Sequence, residues 1–417
     1  MSDHEPVPDL EGRRLTTKEA AELLGVKPET VYAYVSRGQL GSRRVPGGRG
    51  STFDAKEVQA LARRSRRDSG GSPGSGGELS VRTRITLIDT DRYYFRGVDA
   101  TELAARHSYE EIAEWLWTGR MLPGTTFTAP DTSVSVARRA VDALPEHTSP
   151  TDRLRVAAIA AATADPLRFD LSESAVLGTA RILIPTLVAA LPPVRIGHRD
   201  EGSLAERLWA RLSARKPDEA SLRALDTALG LLVDHDLAAS TLAVRVAASA
   251  RAHAYAAVSA GLGVLEGPLH GAASGLAHRL LLDVLDRGDA GPVIADELRA
   301  GRRIPGLGHR LYPGEDPRAR ALFGLLEEIP RAAPALAAAR DVVATTARHT
   351  PLHANVDLAL AVLTASSGML ATAGETIFAV ARTAGWIAHT LEEYGERPLR
   401  MRPSGLYVGA KPPQALP

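Results

Sequence analysis

The sequence predicts an all-α body over residues 79–417, preceded by a small basic module of different character. Three observations carry that reading. Apolar residues recur at three- and four-residue steps through stretches such as "VDATELAARHSYEEIAEWLWTG" (98–119) and "LRALDTALGLLVDHDLAASTLAVRVAASARAHAYAAVSAG" (222–261), the spacing of one buried helical face. Only "VRTRITLIDTDRYYFR" (81–96) alternates like a β-hairpin. "DSGGSPGSGG" (68–77) makes residues 68–78 a flexible linker by composition.

Composition narrows the class. With 417 residues, 44% of them apolar, the chain can bury a large core in more than one domain. It has no cysteine, which rules out disulfides and thiolate metal sites. The start, "MSDHEPVPDLEG", is too polar and acidic for a signal peptide. The most apolar run, "ILIPTLVAALPPV" (182–194), is too short to span a membrane and holds three prolines. A soluble cytoplasmic protein without membrane contact is the expectation. The formal net charge of +1 hides an asymmetry: residues 12–67 carry 13 Lys/Arg against 5 Asp/Glu, a net +8. An anionic partner is therefore sought at the N-terminal module.

That module, 12–67, has a legible helix grammar. Thr16 with Glu19 forms a capping box, and Ala20, Leu23 and Leu24 make an apolar stripe. Gly25 ends the helix, and Pro28 opens a second one with Val31 and Val35 turned inward. "LGSRRVPGGRGSTF" (40–53) offers two extended pieces around a Gly-Gly turn, and Asp54 with Glu57 caps a third helix. This order is that of a winged helix-turn-helix, and the stretch resembles the excisionase and mercury-regulator type of DNA-binding domain. The resemblance implies that the second helix presents Lys27, Thr30, Tyr32 and Tyr34 to a major groove, with wing arginines Arg43, Arg44 and Arg49 on phosphates. A basic appendage used for assembly is the alternative.

In the body, most of the 12 histidines in the chain need no special role. His349 and His353 are four apart, but Pro351 between them argues against a shared helical face for a metal, and none is expected. The informative ones sit among glycines. His270, in "LEGPLHGAASGLAH" (265–278), precedes a helical run whose positive end would keep its imidazole neutral, and a neutral imidazole donates a hydrogen bond to a carbonyl oxygen. His309 lies in "IPGLGHRLYPGEDPRAR" (304–320), where regular structure is impossible. Asp357 begins an apolar helix, where desolvation raises its basicity. Arg382 sits on an otherwise apolar helical face, and Arg402 lies near the end.

In chain order, "DHDLAAST" (234–241), "GPLHGA" (267–272), "GHRLYPGEDPRA" (308–319), "NVD" (355–357), "ARTAGWIAH" (381–389) and "RPSGLYVG" (402–409) resemble the motifs of the citrate synthase family, and the likeness extends from about Arg82 to Gly409. It implies a two-domain helical body, with a large domain over 79–270 and 376–417 and a small domain over 271–375. It implies condensation of acetyl-CoA with oxaloacetate to citrate and CoA, the acyl group becoming alkyl on transfer. Asp357 would be the base, His270 would stabilise the enolate oxygen, and His309 would polarise and protonate the ketone. Arg318, Arg382 and Arg402 would clamp the two carboxylates with help from His235, Arg402 coming from the partner subunit of a homodimer. Gly306 and Gly308 would let backbone approach coenzyme A, which is a substrate and not a permanently bound cofactor.

Departures from the family motifs fall at Ala238, Ala272, Ser274, Ala354, Leu358, Ala359 and Ser404. The small residues after the base bear on acyl choice, so 2-methylcitrate synthesis from propionyl-CoA is an alternative. A DNA-binding regulator with a metabolite-sensing body is another. Retention of His270, His309 and Asp357 together favours the enzyme, because binding alone needs no base.

Overall fold

The computed structural model describes residues 14–24, 26, 28–36, 40–44, 51–59, 81–195, 197, 200–267, 270–271, 273–403 and 407–410. The chain divides into two compact units, Met1–Arg82 and Thr83–Pro417. The linker over 68–78 lies outside the described residues.

The first unit follows its grammar closely. Helices run over Thr17–Leu24 and Pro28–Ser36. The capping box is present: Thr16 N donates to Glu19 Oε2 at 2.8 Å, and Glu19 N donates to Thr16 Oγ1 at 3.3 Å. Asp54 Oδ1 likewise accepts from Lys56 N and Glu57 N at the start of the helical residues 55–59. The wing strands Ser42–Arg44 and Ser51–Asp54 pair antiparallel, and Arg14–Thr16 adds a third strand that the sequence reading missed. Leu15, Ala20, Val31, Leu40, Phe53 and Val58 form its core.

The second unit is helical apart from a short meander. Thr86–Ile88 and Tyr93–Phe95 form the expected hairpin, and Val98–Asp99 extends it by one strand. The centre is the 22-residue helix Ala373–Tyr394, buried on nearly all sides and packed by Tyr109–Thr118, Glu173–Ala190, Glu219–Leu232, Ala239–Ser249 and Ala254–Leu265. Close packing needs small residues here. A Cβ on Gly385 would lie 2.2 Å from Val233 O, and one on Gly261 would lie 2.9 Å from the Trp386 ring. Trp117 Nε1 and Tyr109 Oη donate to carbonyl oxygens of the central helix, Ala384 O at 2.8 Å and Val380 O at 3.0 Å. The helix Glu173–Ala190 is long and apolar enough to cross a membrane, yet 61% of it is buried within the body, as in a core helix.

Candidate active site

The segment between helices Ala290–Arg299 and Pro317–Glu327 is irregular, as its glycines and prolines require. Gly306 and Gly308 hold φ of 83° and 75°, a region that a side chain disfavours. Gly308 N donates to His353 O at 2.8 Å, Asn355 N donates to Gly306 O at 2.9 Å, and Asn355 Nδ2 donates to Gly308 O at 2.9 Å. These bonds fasten the His309 loop to the residues that begin the helix Val356–Ser366. Asn355 caps that helix, accepting from Asp357 N at 3.0 Å.

Around this junction the structure gathers His235, His309 and Arg318. The rings of His235 and His309 stand edge to face with centroids 5.2 Å apart, and Tyr312 packs 4.9 Å from His309. Tyr312 Oη lies 2.8 Å from His235 Nε2. Arg318, buried, points Nη2 at His309 Nε2 at 3.3 Å. Its fork is gripped by Asp316 through Nε at 3.0 Å and Nη2 at 2.8 Å. Asp316 also accepts from Arg318 N and, at 3.1 Å, from Val356 N. Burial opposes ionisation of Asp316, but the Arg318 charge and hydrogen bonds outweigh it and hold the carboxyl below its usual range.

Arg382 is held differently. It is fully buried, its Nε donates to Leu232 O at 2.9 Å, and Nη1 and Nη2 have no hydrogen-bond partner among the described residues. Burial pushes its pKa down to about 10, against the favourable charge of Asp234. An unpaired buried cation is costly, so this fork is set to receive an anion.

Both candidate histidines are neutral near pH 7. Burial and then the Arg382 charge push His270 down to about 4. Burial and then Arg318 do the same to His309. The helix after His270 runs over Ala273–Arg287, and burial is the first cause of the His270 shift. His270 Nε2 lies 2.7 Å from Ser240 Oγ, and its ring packs edge to face on Phe378, over which the Arg382 guanidinium also lies. Asp357 is half-buried, and burial raises it to about 6 despite the lowering influence of Arg318.

The other candidates separate. Gly306 packs its bare Cα on Leu358, where a Cβ would come within 2.8 Å of Leu358 Cβ. Gly308 instead lines a cavity of about 710 Å³ with His309, Arg302, Arg303 and Arg310. Arg402 is exposed, its N–H donating to Leu399 O at 3.1 Å, and no described contact joins it to the cluster. In the first unit Tyr32 is 48% exposed and Arg43 is exposed. Thr30 is half-buried. Tyr34 corrects the expectation: it packs on the core of that unit, because residues two apart on a helix face opposite ways. Lys27 and Arg49 lie outside the described residues, and of Arg44 only the strand backbone is described. Among the described residues no cluster of three His, Cys, Asp or Glu is placed to hold a metal.

Sequence reasoning missed Tyr312, Asp316 and Asp234. Asp316 had a signal, since Asp before a Pro that opens a helix is an N-cap, and it caps Pro317–Glu327 here. Tyr312 and Asp234 stood inside quoted motifs without a chemical signature of their own.

A family model described as citrate synthase, C-terminal domain, matches residues 74–404, and a helix-turn-helix domain model matches 14–66. The citrate synthase of Haloferax volcanii is 32% identical over 367 residues, covering 81% of this chain and 96% of that protein. A Bacillus subtilis protein named citrate/2-methylcitrate synthase is 28% identical over 366 residues, covering 82% and 97%. The crystal structure of citrate synthase from Thermotoga maritima superposes with a TM-score of 0.64 at 26% identity, covering 82% of this chain and 96% of that one.

Proposed function

The chain belongs to the citrate synthase family of condensing enzymes, and from that premise we propose that it joins acetyl-CoA to oxaloacetate, giving citrate and CoA. The observation that carries this reading is the open fork of Arg382, buried near His235, His309 and Arg318, which suits one carboxylate of a small dianion. Arg318 takes the other carboxylate, and Arg402 of the partner subunit completes the clamp in a homodimer. Asp357, raised to about 6, takes a proton from the carbon beside the thioester carbonyl. His270, neutral and held by Ser240, hydrogen-bonds the enolate oxygen that forms. The enolate carbon attacks the ketone carbon of oxaloacetate, and neutral His309 passes its N–H proton to the ketone oxygen, making it a hydroxyl, as the ring takes a replacement proton from water. Water then cleaves the citryl thioester and CoA departs.

The cavity beside His309 suits CoA, because Arg302, Arg303 and Arg310 line it and CoA is anionic. On this reading 79–270 with 376–417 form a large domain and 271–375 a small one, in a cytoplasmic enzyme that keeps no permanent cofactor. Propionyl-CoA differs from acetyl-CoA by one methylene, worth about 1–3 kcal/mol in a pocket. The donor is therefore read from turnover with acetyl-, propionyl- and butyryl-CoA, the last two giving 2-methylcitrate and its ethyl homologue. The decisive assay is CoA release with oxaloacetate for wild type and Asp357→Ala. Turnover that Asp357→Ala removes supports the proposal. No turnover with any of the three donors, together with salt-sensitive, sequence-specific DNA binding, would instead establish a metabolite-sensing regulator.

The helix-turn-helix match and the net +8 favour a second role, DNA binding by residues 12–67 through Thr30, Tyr32 and Arg43 with Lys27, Arg44 and Arg49. Deleting residues 1–78 should abolish DNA retention and leave the condensation kinetics unchanged.

A further inference from the structure

The two buried arginines of the site are balanced in opposite ways. Arg318 has Nε and Nη2 bonded to Asp316, whereas Arg382 has no ion pair, and among the described residues only its Nε is hydrogen-bonded, to Leu232 O. Its main counter-charge is Asp234, which is fully buried and yet does not touch the fork. The reason lies on the far side of Asp234. Thr86 Oγ1 donates to Asp234 Oδ2 at 2.5 Å. His389 Nε2 approaches Oδ1 at 3.2 Å, so Thr86 and His389 flank the carboxylate on its two oxygens. His389 is itself held from behind. Arg245 Nη1 lies 2.9 Å from His389 Nδ1, and a guanidinium only donates, so Nδ1 accepts and the ring hydrogen sits on Nε2, facing Asp234. Glu392 and Glu393 balance Arg245, and Arg400 caps Glu393. The arrangement is a buried row in which the His389 imidazole stands between the Arg245 guanidinium and the Asp234 carboxylate.

We propose that Asp234 is a positioning residue for the 2-oxo acid: it supplies the counter-charge of Arg382 while Thr86 holds its carboxylate off the guanidinium, leaving the fork open for a substrate carboxylate. This rests on the reading of Arg382 as a carboxylate holder. A substrate carboxylate bound there competes with Asp234 for the same cation, so the two negative groups are coupled with opposite sign. Asp234→Asn keeps the shape and the Thr86 bond but removes the competing charge. Thr86→Val keeps the charge but frees the carboxylate to turn onto Arg382.

The test measures KM for oxaloacetate, and the melting temperature of the full-length protein with and without oxaloacetate. Asp234→Asn should melt lower without ligand, gain a larger shift from oxaloacetate than wild type, and show KM lower by at least about twofold, the lower end for residues coupled in one network. Thr86→Val should raise KM by a similar factor and shrink the oxaloacetate shift. A residue with only a structural role weakens binding in both variants, and that common direction overturns the inference. Should Asp234→Asn fail to fold, Thr86→Val decides alone: KM at or below the wild-type value overturns it. Arg382→Gln is the control. Wild-type oxaloacetate binding in that variant removes the reading of Arg382 itself, and this inference with it. Weakened binding in Arg382→Gln beside same-direction changes in the other two overturns this inference alone.

Discussion

Replacing Asp316 with Asn tests whether the cluster is held together by one carboxylate. Asp316 accepts from Arg318 Nε and Nη2, from Arg318 N and from Val356 N, so it joins a candidate substrate-binding arginine to the start of the helix that carries Asp357. Its side chain is 1% exposed and that of Arg318 is 3% exposed, so water cannot replace the lost contacts. Breaking a buried pair from one side leaves a charge without a partner and costs about 3–5 kcal/mol. For a chain of this size that lowers the melting temperature by roughly 4–7 °C. The amide also turns a donor toward groups that are all donors, so Arg318 should shift and KM for oxaloacetate should rise. Thermal melts and steady-state kinetics on the purified variant measure both. Replacing the pair together, Asp316→Leu with Arg318→Met, should recover part of the stability and none of the activity, because no charge is then stranded. A single variant melting within a degree of wild type with unchanged KM would refute the view that Asp316 organises this site.

Further outcomes follow from the same geometry. Asp357→Asn should lower turnover by about 100-fold or more. The wild-type rate should fall as pH drops through about 6, the value to which burial raises Asp357. Because the folded-state value is raised, ionised Asp357 opposes folding: its favourable contribution is complete below the unfolded value and lost as pH rises through about 6. Asp357→Asn should therefore out-melt wild type at pH 8 and lose that advantage below about pH 4. Gly306→Ala must hold a Cβ at φ 83° and 2.8 Å from Leu358 Cβ. Urea unfolding should show a loss of about 2–5 kcal/mol, the left-handed penalty plus overpacking. Gly385→Ala should destabilise by about 1–3 kcal/mol or more in the same assay, since its Cβ would come 2.2 Å from Val233 O, beside Asp234 and His235.

The readable parts of the molecule were those where a residue type conflicted with its local setting. Arg382 on an apolar helical face and His309 among glycines both stood out, and the structure buries the first and packs the second against His235. Helix starts were legible through their caps, as Thr16 with Glu19 and Asp54 with Glu57 show. Groups that act through distant partners stayed hidden. Asp234 meets Thr86, which lies 148 residues away in the chain, and no local pattern records that pairing. The strand Arg14–Thr16 was missed because three residues are too few to display an alternation, and pairing with Ser51–Asp54 creates it. Tyr34 was placed on the wrong side because the motif was read as a string and not as a helix.

The bonds between residues 306–308 and 353–355 have a mechanical consequence. His309 stands on one side of that junction and Asp357 on the other, with three hydrogen bonds across it. Each contributes about 1 kcal/mol, and parting the two segments would break all of them together. A motion that opens the site for substrate is easier if loop and helix start travel as one body, with the flexing placed elsewhere. His309 and Asp357 would then keep a fixed separation whatever the rest of the site does, because the same three bonds tie one to the other.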